Sequence, residues 1–255
     1  MKKFRGIFLK SDHEISCLHH ANRITAQILG HIVEHIVAGV KTIELEEIAI
    51  EQCKKHGVVP AFKGYQGFPY ALCCSVNEEI VHGFPSSRIL RDGDIVSLDF
   101  GVCYNGFFGD TARTIPVGNI DNGAAHLLEV TAISLQKGIE KALSGNDLYD
   151  ISRAVQEYVE ASGYSVIKRF VGHGVGRALH EKPEVPNFVP KNATRLPLKT
   201  GMVIAIEPMV AAGSDEVEIL SDGWTAVTRD RSLAAHFEHS IAITKDGPLI
   251  LSEVV

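Results

Sequence analysis

The sequence predicts an α+β fold built from two similar halves, each holding two helices followed by antiparallel strands. Three observations predict it. First, Ile95-Val96-Ser97-Leu98-Asp99 reads as a strand, and Asn105-Gly106 between two β-rich runs is a strong two-residue hairpin signal. Second, the interval from Gly39 to Gly57 equals that from Gly145 to Gly163, and each holds one amphipathic helix behind a longer one. Third, Leu90-Arg91-Asp92-Gly93-Asp94-Ile95-Val96-Ser97-Leu98-Asp99 parallels Leu198-Lys199-Thr200-Gly201-Met202-Val203-Ile204-Ala205-Ile206-Glu207. Both run leucine, basic residue, polar residue, glycine, then an apolar strand ending in a carboxylate. Two such matches in the same order predict pseudo-symmetric halves, about 11–120 and 121–255, whose strand-end carboxylates meet near a shared axis. No linker rich in Pro, Gly or Ser divides them, so 1–255 is expected to be a single domain. Two copies are too few for a solenoid.

The elements follow in order. Ser11-Asp12-His13-Glu14 has the capping-box pattern, and Ile15, Leu18, Ile28, Ile32 and Ile36 recur behind it at helical intervals. A second helix starts at Thr42. Leu45, Ile48, Ala49 and Cys53 form its apolar face, Lys54-Lys55-His56 suits its C-terminal dipole, and Gly57 is its stop. The stretch from about Ala124 to Leu143 predicts a third helix. Asn146 or Asp147 caps a fourth that carries Leu148, Ile151, Val155 and Val159. In the hairpin, closing the turn at Asn105-Gly106 sets Tyr104 against Phe107, Asp99 against Ala112 and Gly101 against Asp110. Side chains alternate with period two, so Asp99 and Asp110 share a face as diagonal neighbours. Two aspartates this close repel when ionised: either one holds a proton or a cation sits between them.

Composition narrows the function. The 255 residues are 45% hydrophobic and 22% charged, which is globular, with ample length for a core. A net charge of −6 without a long basic run argues against nucleic acid or an anionic membrane as the main partner. Met1-Lys2-Lys3-Phe4-Arg5 is basic, but no apolar h-region follows, so no signal peptide is expected, nor any membrane span. Cys17, Cys53, Cys73, Cys74 and Cys103 are odd in number and contain no Cys-x-x-Cys, so they are expected reduced, as in the cytoplasm. The glycines at 172, 174 and 176 fit no nucleotide fingerprint, and no Gly-x-Ser-x-Gly elbow is present.

Four carboxylates belong together by position: Asp99, Asp110, Glu207 and Glu238, the last in the strand-like run His236 to Ile243. His173 stands in Gly172-His173-Gly174-Val175-Gly176, where small neighbours leave its ring accessible. Oxygen-rich coordination with one imidazole suits Mn, Fe, Co or Zn. Four carboxylates exceed the needs of one ion, and two ions about 3.5–4 Å apart would let carboxylates bridge them.

Here the chain resembles the methionine aminopeptidases of type I, in their short bacterial form, from Ile15 to about Ile250. The motifs are Lys63-Gly64-Tyr65-Gln66-Gly67-Phe68-Pro69, Ser75-Val76-Asn77-Glu78-Glu79, His82-Gly83-Phe84-Pro85, the Asp99/Asp110 hairpin, Gly172 to Gly176, His180-Glu181-Lys182-Pro183, Glu207-Pro208-Met209 and Phe237-Glu238-His239-Ser240. The resemblance implies the pita-bread fold and removal of initiator methionine when the second residue is small. It implies two divalent metal ions (Co, Mn, Fe or Zn) on Asp99, Asp110, His173, Glu207 and Glu238. Asp110 and Glu238 would bridge the pair, Asp99 would chelate one ion, and His173 and Glu207 would complete the other. Glu207 also matches the general base, His82 the contact to the scissile amide nitrogen, and His180 the group that steadies the carbonyl oxygen. Tyr65, Phe68, Cys73 and Trp224 match the methionine pocket, with His82 at its wall. The family role implies nascent N-termini as substrates, cytoplasmic location near the ribosome, and a monomer.

The chain departs from the family pattern at Gln66, where histidine is frequent, at Phe62, where cysteine is common, and at Leu179, where an aromatic is usual. These bear on substrate range, not on the chemistry. His126, His236 and His239 are expected to be structural. Two other readings stand beside the first. An Xaa-Pro peptidase of the same fold would usually carry a further N-terminal domain, for which this chain has no room. A metal-free binding protein would have lost ligands, whereas all five candidates stand here.

Overall fold

The computed structural model describes residues 2–253. Among the described residues there are four α-helices, α1 (Asp12–Val33), α2 (Thr42–His56), α3 (Asn122–Lys141) and α4 (Leu148–Ala161), and one short 3-10 turn at Tyr65–Gly67. The capping box forms as the sequence predicts, with Ser11 Oγ accepting from the Glu14 amide and Glu14 accepting from the Ser11 amide. Gly57 ends α2 at φ 65°, a left-handed geometry that glycine adopts without strain. Two details differ from expectation, and one open choice is resolved. Ile36 is buried in the core but lies past the end of α1, so its helical spacing arises from the turn that follows. Asp121 caps α3, which begins at Asn122 rather than Ala124. Asp147, not Asn146, caps α4, accepting from the Tyr149 amide.

Nine strands form one antiparallel sheet. They are β1 (Val59–Pro60), β2 (Leu72–Val76), β3 (Ile95–Tyr104), β4 (Phe107–Pro116), β5 (Gly172–Gly174), β6 (Glu181–Val185), β7 (Val203–Ile206), β8 (Glu238–Thr244) and β9 (Gly247–Ile250). Their order is β6-β5-β7-β8-β4-β3-β1, with β9 on β8 and β2 on β3. The hairpin register agrees with the sequence reading: Tyr104 faces Phe107, Asp99 faces Ala112 and Gly101 faces Asp110.

The helices cover one face of this curled sheet. Leu98, Phe100 and Val102 of β3 pack with Ile24, Ile28 and Ile32 of α1 and Leu45 and Ala49 of α2. Ile204 and Ile206 of β7, with Ile241 and Ile243 of β8, pack against Leu135 and Ile139 of α3 and Leu148 and Ile151 of α4. Alternation then turns Asp99, Glu207 and Glu238 to the opposite, concave face. Close approach of α1 to β4 depends on Gly109, where a Cβ would sit 2.8 Å from the Ala21 carbonyl carbon.

The two halves repeat bond for bond. The Gly39 amide donates to Leu90 O at 2.8 Å, and the Gly145 amide donates to Leu198 O at 2.9 Å. The Leu90 amide donates to Val40 O, and the Leu198 amide to Asn146 O. The Gly93 amide donates to Val117 O and the Gly201 amide to Ile243 O, each at 2.9 Å. Isolated bridges Lys41–Ile89 and Asp147–Pro197 complete the match. The strand following each of these links is therefore delivered in the same orientation, and each ends in its carboxylate.

Candidate metal centre

The halves join where β8 pairs with β4. Asp99 on β3 faces Ala112 on β4, and Ala112 faces Glu238 on β8. The β7–β8 register, carried one step past Ile206–His239, sets Glu207 opposite Glu238. Asp110 stands diagonally between Asp99 and Glu238 on the same face. His173 enters from β5, which pairs with β7 through Gly174 and Ile204. Glycines on either side of His173 are required for this. A Cβ at 172 would strike Ala205 O, and one at 174 would strike Lys182 O.

The cluster is rich in acceptors and lacks donors. Asp99 Oδ1, Asp110 Oδ1, Glu207 Oε1 and Glu238 Oε1 are buried without a hydrogen-bond partner. His173 Nδ1 lies 2.8 Å from Gly174 O, which can only accept, so Nδ1 carries the proton and the Nε2 lone pair faces inward. That Nε2 sits 3.6 Å from both Asp110 Oδ2 and Glu207 Oε1, too far for a hydrogen bond. Burial holds the His173 pKa down to about 3, so the ring is neutral and these are not ion pairs. Ligand atoms of Asp110, His173 and Glu238 lie within 4.8 Å of one another. Buried acceptors converging without a donor are costly unless a cation satisfies them, so the residues fit a divalent metal.

The acids carry the same signature. Burial pushes Asp99 up from 3.8 to about 7. Burial also raises Asp110, Glu207 and Glu238 well above the usual carboxylate range, and the neighbouring carboxylates raise them further. A carboxylate with a raised folded pKa binds its proton more tightly when folded. Its penalty is absent below the unfolded value and grows as pH rises to the folded one. In metal-free protein, the stability gained by Asp99→Asn therefore grows between pH 3.8 and about 7. The urea midpoint difference from wild type should be larger near about pH 8 than near about pH 5; an unchanged difference contradicts the burial argument. Comparing the two proteins cancels the buried histidines, whose lowered values act in the opposite sense.

The centre floors a cavity of about 320 Å³. The lining includes all five candidate ligands together with Tyr65, Phe68, Cys73, His82, His180 and Trp224. Phe68 and Trp224 pack edge-to-face at 5.2 Å, and Trp224 meets His82 at 6.1 Å. Burial lowers His82 to about 4, so it is neutral. His180 is exposed at the mouth, its Nδ1 2.7 Å from the Tyr65 hydroxyl and its ring 4.1 Å from that of His173. Gln66 also reaches the lining, from a left-handed turn at φ 49°. Phe62 and Leu179 are buried beside Phe68 and Cys73 and form part of the pocket wall.

Sequence reading missed several supports. The Asn187 side-chain amide donates to Glu207 O at 2.9 Å, and Asn22 Oδ1 accepts from the Asp110 amide at 3.2 Å. Ser240 Oγ donates to Asp110 O, and Thr111 Oγ1 to Glu238 O. His236, read as structural, has both ring nitrogens buried without a partner, with Nε2 3.9 Å from Glu207 Oε2. Asn22 left one legible signal, a polar residue amid the apolar stripe of α1.

Comparison with known proteins now adds to this geometry. The model of metallopeptidase family M24 matches residues 16–245. A methionine aminopeptidase of Clostridium perfringens is 52% identical over 247 residues, 96% of this chain and 98% of that one. The chain belongs to metallopeptidase family M24, among the methionine aminopeptidases. The crystal structure of a methionine aminopeptidase from Thermotoga maritima matches with a TM-score of 0.94 at 45% identity, covering 97% of this chain and 100% of that one. A prolidase from Pyrococcus furiosus matches at 0.79 and 24% identity, with 97% of this chain covering 66% of the prolidase, and shares the fold. Membership makes this M24 chain a metal-dependent hydrolase with the pita-bread fold. No described helix of it is long and apolar enough to cross a membrane.

Proposed function

We propose that the chain is a two-metal aminopeptidase, a single catalytic domain that removes initiator methionine from nascent chains when the second residue is small. The observation that carries this reading is the acceptor-only cluster, four acids and one neutral histidine, at the floor of an apolar aromatic cavity. Asp110 and Glu238 would bridge the ions, Asp99 would chelate one, and His173 and Glu207 would complete the other. The bound ions would acidify a water and polarise the scissile carbonyl.

The chain's own residues do the rest. Phe68, Trp224, Tyr65 and Cys73 offer an apolar, polarisable wall to the methionine thioether. Neutral His82 holds a ring nitrogen toward the scissile amide, and His180, oriented by the Tyr65 hydroxyl, donates to the carbonyl oxygen as charge develops. Glu207 takes a proton at the buried Oε1. A cavity of about 320 Å³ that accepts a methionine side chain leaves room for a small neighbour beyond it. Five free thiols accord with a reducing compartment such as the cytoplasm, where nascent chains are made.

The test compares Met-Ala-Ser with an x-Pro peptide after loading the protein with Mn, Fe, Co or Zn in turn. The expected outcome is methionine release from Met-Ala-Ser and no cleavage before proline. Cleavage of the x-Pro peptide alone would establish the prolidase reading, and binding without any cleavage would establish a non-catalytic one.

A further inference from the structure

The four acids account for every negative charge in the cavity lining, and one cation remains there, Arg169. It takes no part in the chemistry described above. Arg169 is exposed, follows Lys168, and precedes Phe170, whose ring packs edge-on to His82 at 5.3 Å. Arg169 lines the cavity next to Phe170 in the chain, and on the aminopeptidase reading His82, against which Phe170 packs, meets the scissile amide, so the chain beyond that bond would leave past this part of the lining.

Its neighbours are already matched. Lys168 Nζ contacts Asp215 Oδ2 at 2.7 Å, and elsewhere Arg229 pairs with Glu216 and Arg231 with Glu218. Among the described residues Arg169 has neither an ion pair nor a side-chain hydrogen bond, while the adjacent Lys168 has both. Its five donors are therefore open to solvent and to a ligand in the cavity it lines.

We propose that Arg169 is a specificity-determining residue that recruits a carboxylate lying just past the small second residue of the substrate. This rests on the aminopeptidase reading. The carboxylate can come from an acidic side chain in a nascent chain or from the C-terminus of a short peptide. Guanidinium suits either, because its planar fork receives both oxygens at once. The site is exposed, so the contact acts on binding and is screened by salt.

The experiment uses the metal-loaded protein and four peptides: Met-Ala-Glu-Ser, Met-Ala-Gln-Ser and Met-Ala-Lys-Ser, all C-terminally amidated, and Met-Ala-Gln-Ser with a free carboxylate. At low ionic strength kcat/KM for the Glu peptide should exceed that for the amidated Gln peptide by about two- to five-fold. The Lys peptide should fall below both. The preference should reside in KM, shrink with added salt, flatten in Arg169→Gln and reverse in Arg169→Glu. A matching gain for the free-carboxylate Gln peptide assigns the chain terminus as a second source. Equal values across the charged series, or a preference that Arg169→Glu leaves in place, overturns the proposal while methionine release from the Gln peptide still stands. Release from none of the peptides overturns both readings.

Discussion

Asp110→Asn is expected to lower kcat/KM for Met-Ala-Ser on the order of 10³-fold and, in metal-free protein, to raise the melting temperature. The first effect follows from its position. Asp110 stands diagonally between Asp99 and Glu238, with His173 Nε2 at 3.6 Å, so in the proposed two-metal centre its carboxylate, like that of Glu238, would be shared between the ions. Losing a ligand shared by the proposed ions would remove several kcal/mol of charge stabilisation in the transition state. The second effect follows from the acids themselves. Burial and the neighbouring Asp99 charge hold Asp110 far above its usual range, so the metal-free cluster is unfavourable. An amide needs no bound proton to stay neutral and supplies donors to oxygens that have none, which stabilises by about 1–2 kcal/mol. Activity and stability thus move in opposite directions, the mark of residues placed for function. If the variant loses stability while keeping activity, the acids serve packing instead.

Lys10→Met is expected to destabilise the protein by about 3–5 kcal/mol. Lys10 Nζ meets Glu181 Oε2 at 2.7 Å, with both side chains more than nine-tenths buried. Glu181 Oε1 accepts from the Arg177 and Ala178 amides and so ties down the turn that carries His180. The Lys10 amide also donates to Gly201 O, beside β7, so one residue braces two parts of the site. Methionine matches the stem of lysine but leaves the Glu181 charge buried and unpaired. The double variant Lys10→Met/Glu181→Gln should recover much of the loss, because the amide oxygen can keep the two backbone bonds without a buried charge. Urea denaturation of the single and double variants checks this. Additive losses would show that the pair is not coupled.

Local signals made much of this molecule legible. Asn105-Gly106 set the hairpin register, because a two-residue turn leaves a single pairing, and that pairing put Asp99 and Asp110 on one face. The parallel between 90–99 and 198–207 foretold two halves with equivalent hydrogen bonds. Helix ends were less legible, since Asp121 and Asn122 compete as caps and a turn can continue a helical spacing, as at Ile36. The step that unites the centre, Ala112 facing Glu238, joins residues far apart in sequence and leaves no local mark. Lys10–Glu181 and Asn187–Glu207 were hidden for the same reason. His236 looked structural because nothing in its own strand distinguishes a histidine that packs from one that faces Glu207.

Calorimetric titration of a divalent cation into metal-free protein near neutral pH, repeated in buffers of different ionisation enthalpy, tests the proposed centre most directly. Two ions should bind, with protons released as the raised carboxylates ionise, and methionine release should appear as the sites fill. Absence of binding, or binding without proton release in wild type and Asp110→Asn alike, would contradict a centre built on Asp99, Asp110, His173, Glu207 and Glu238.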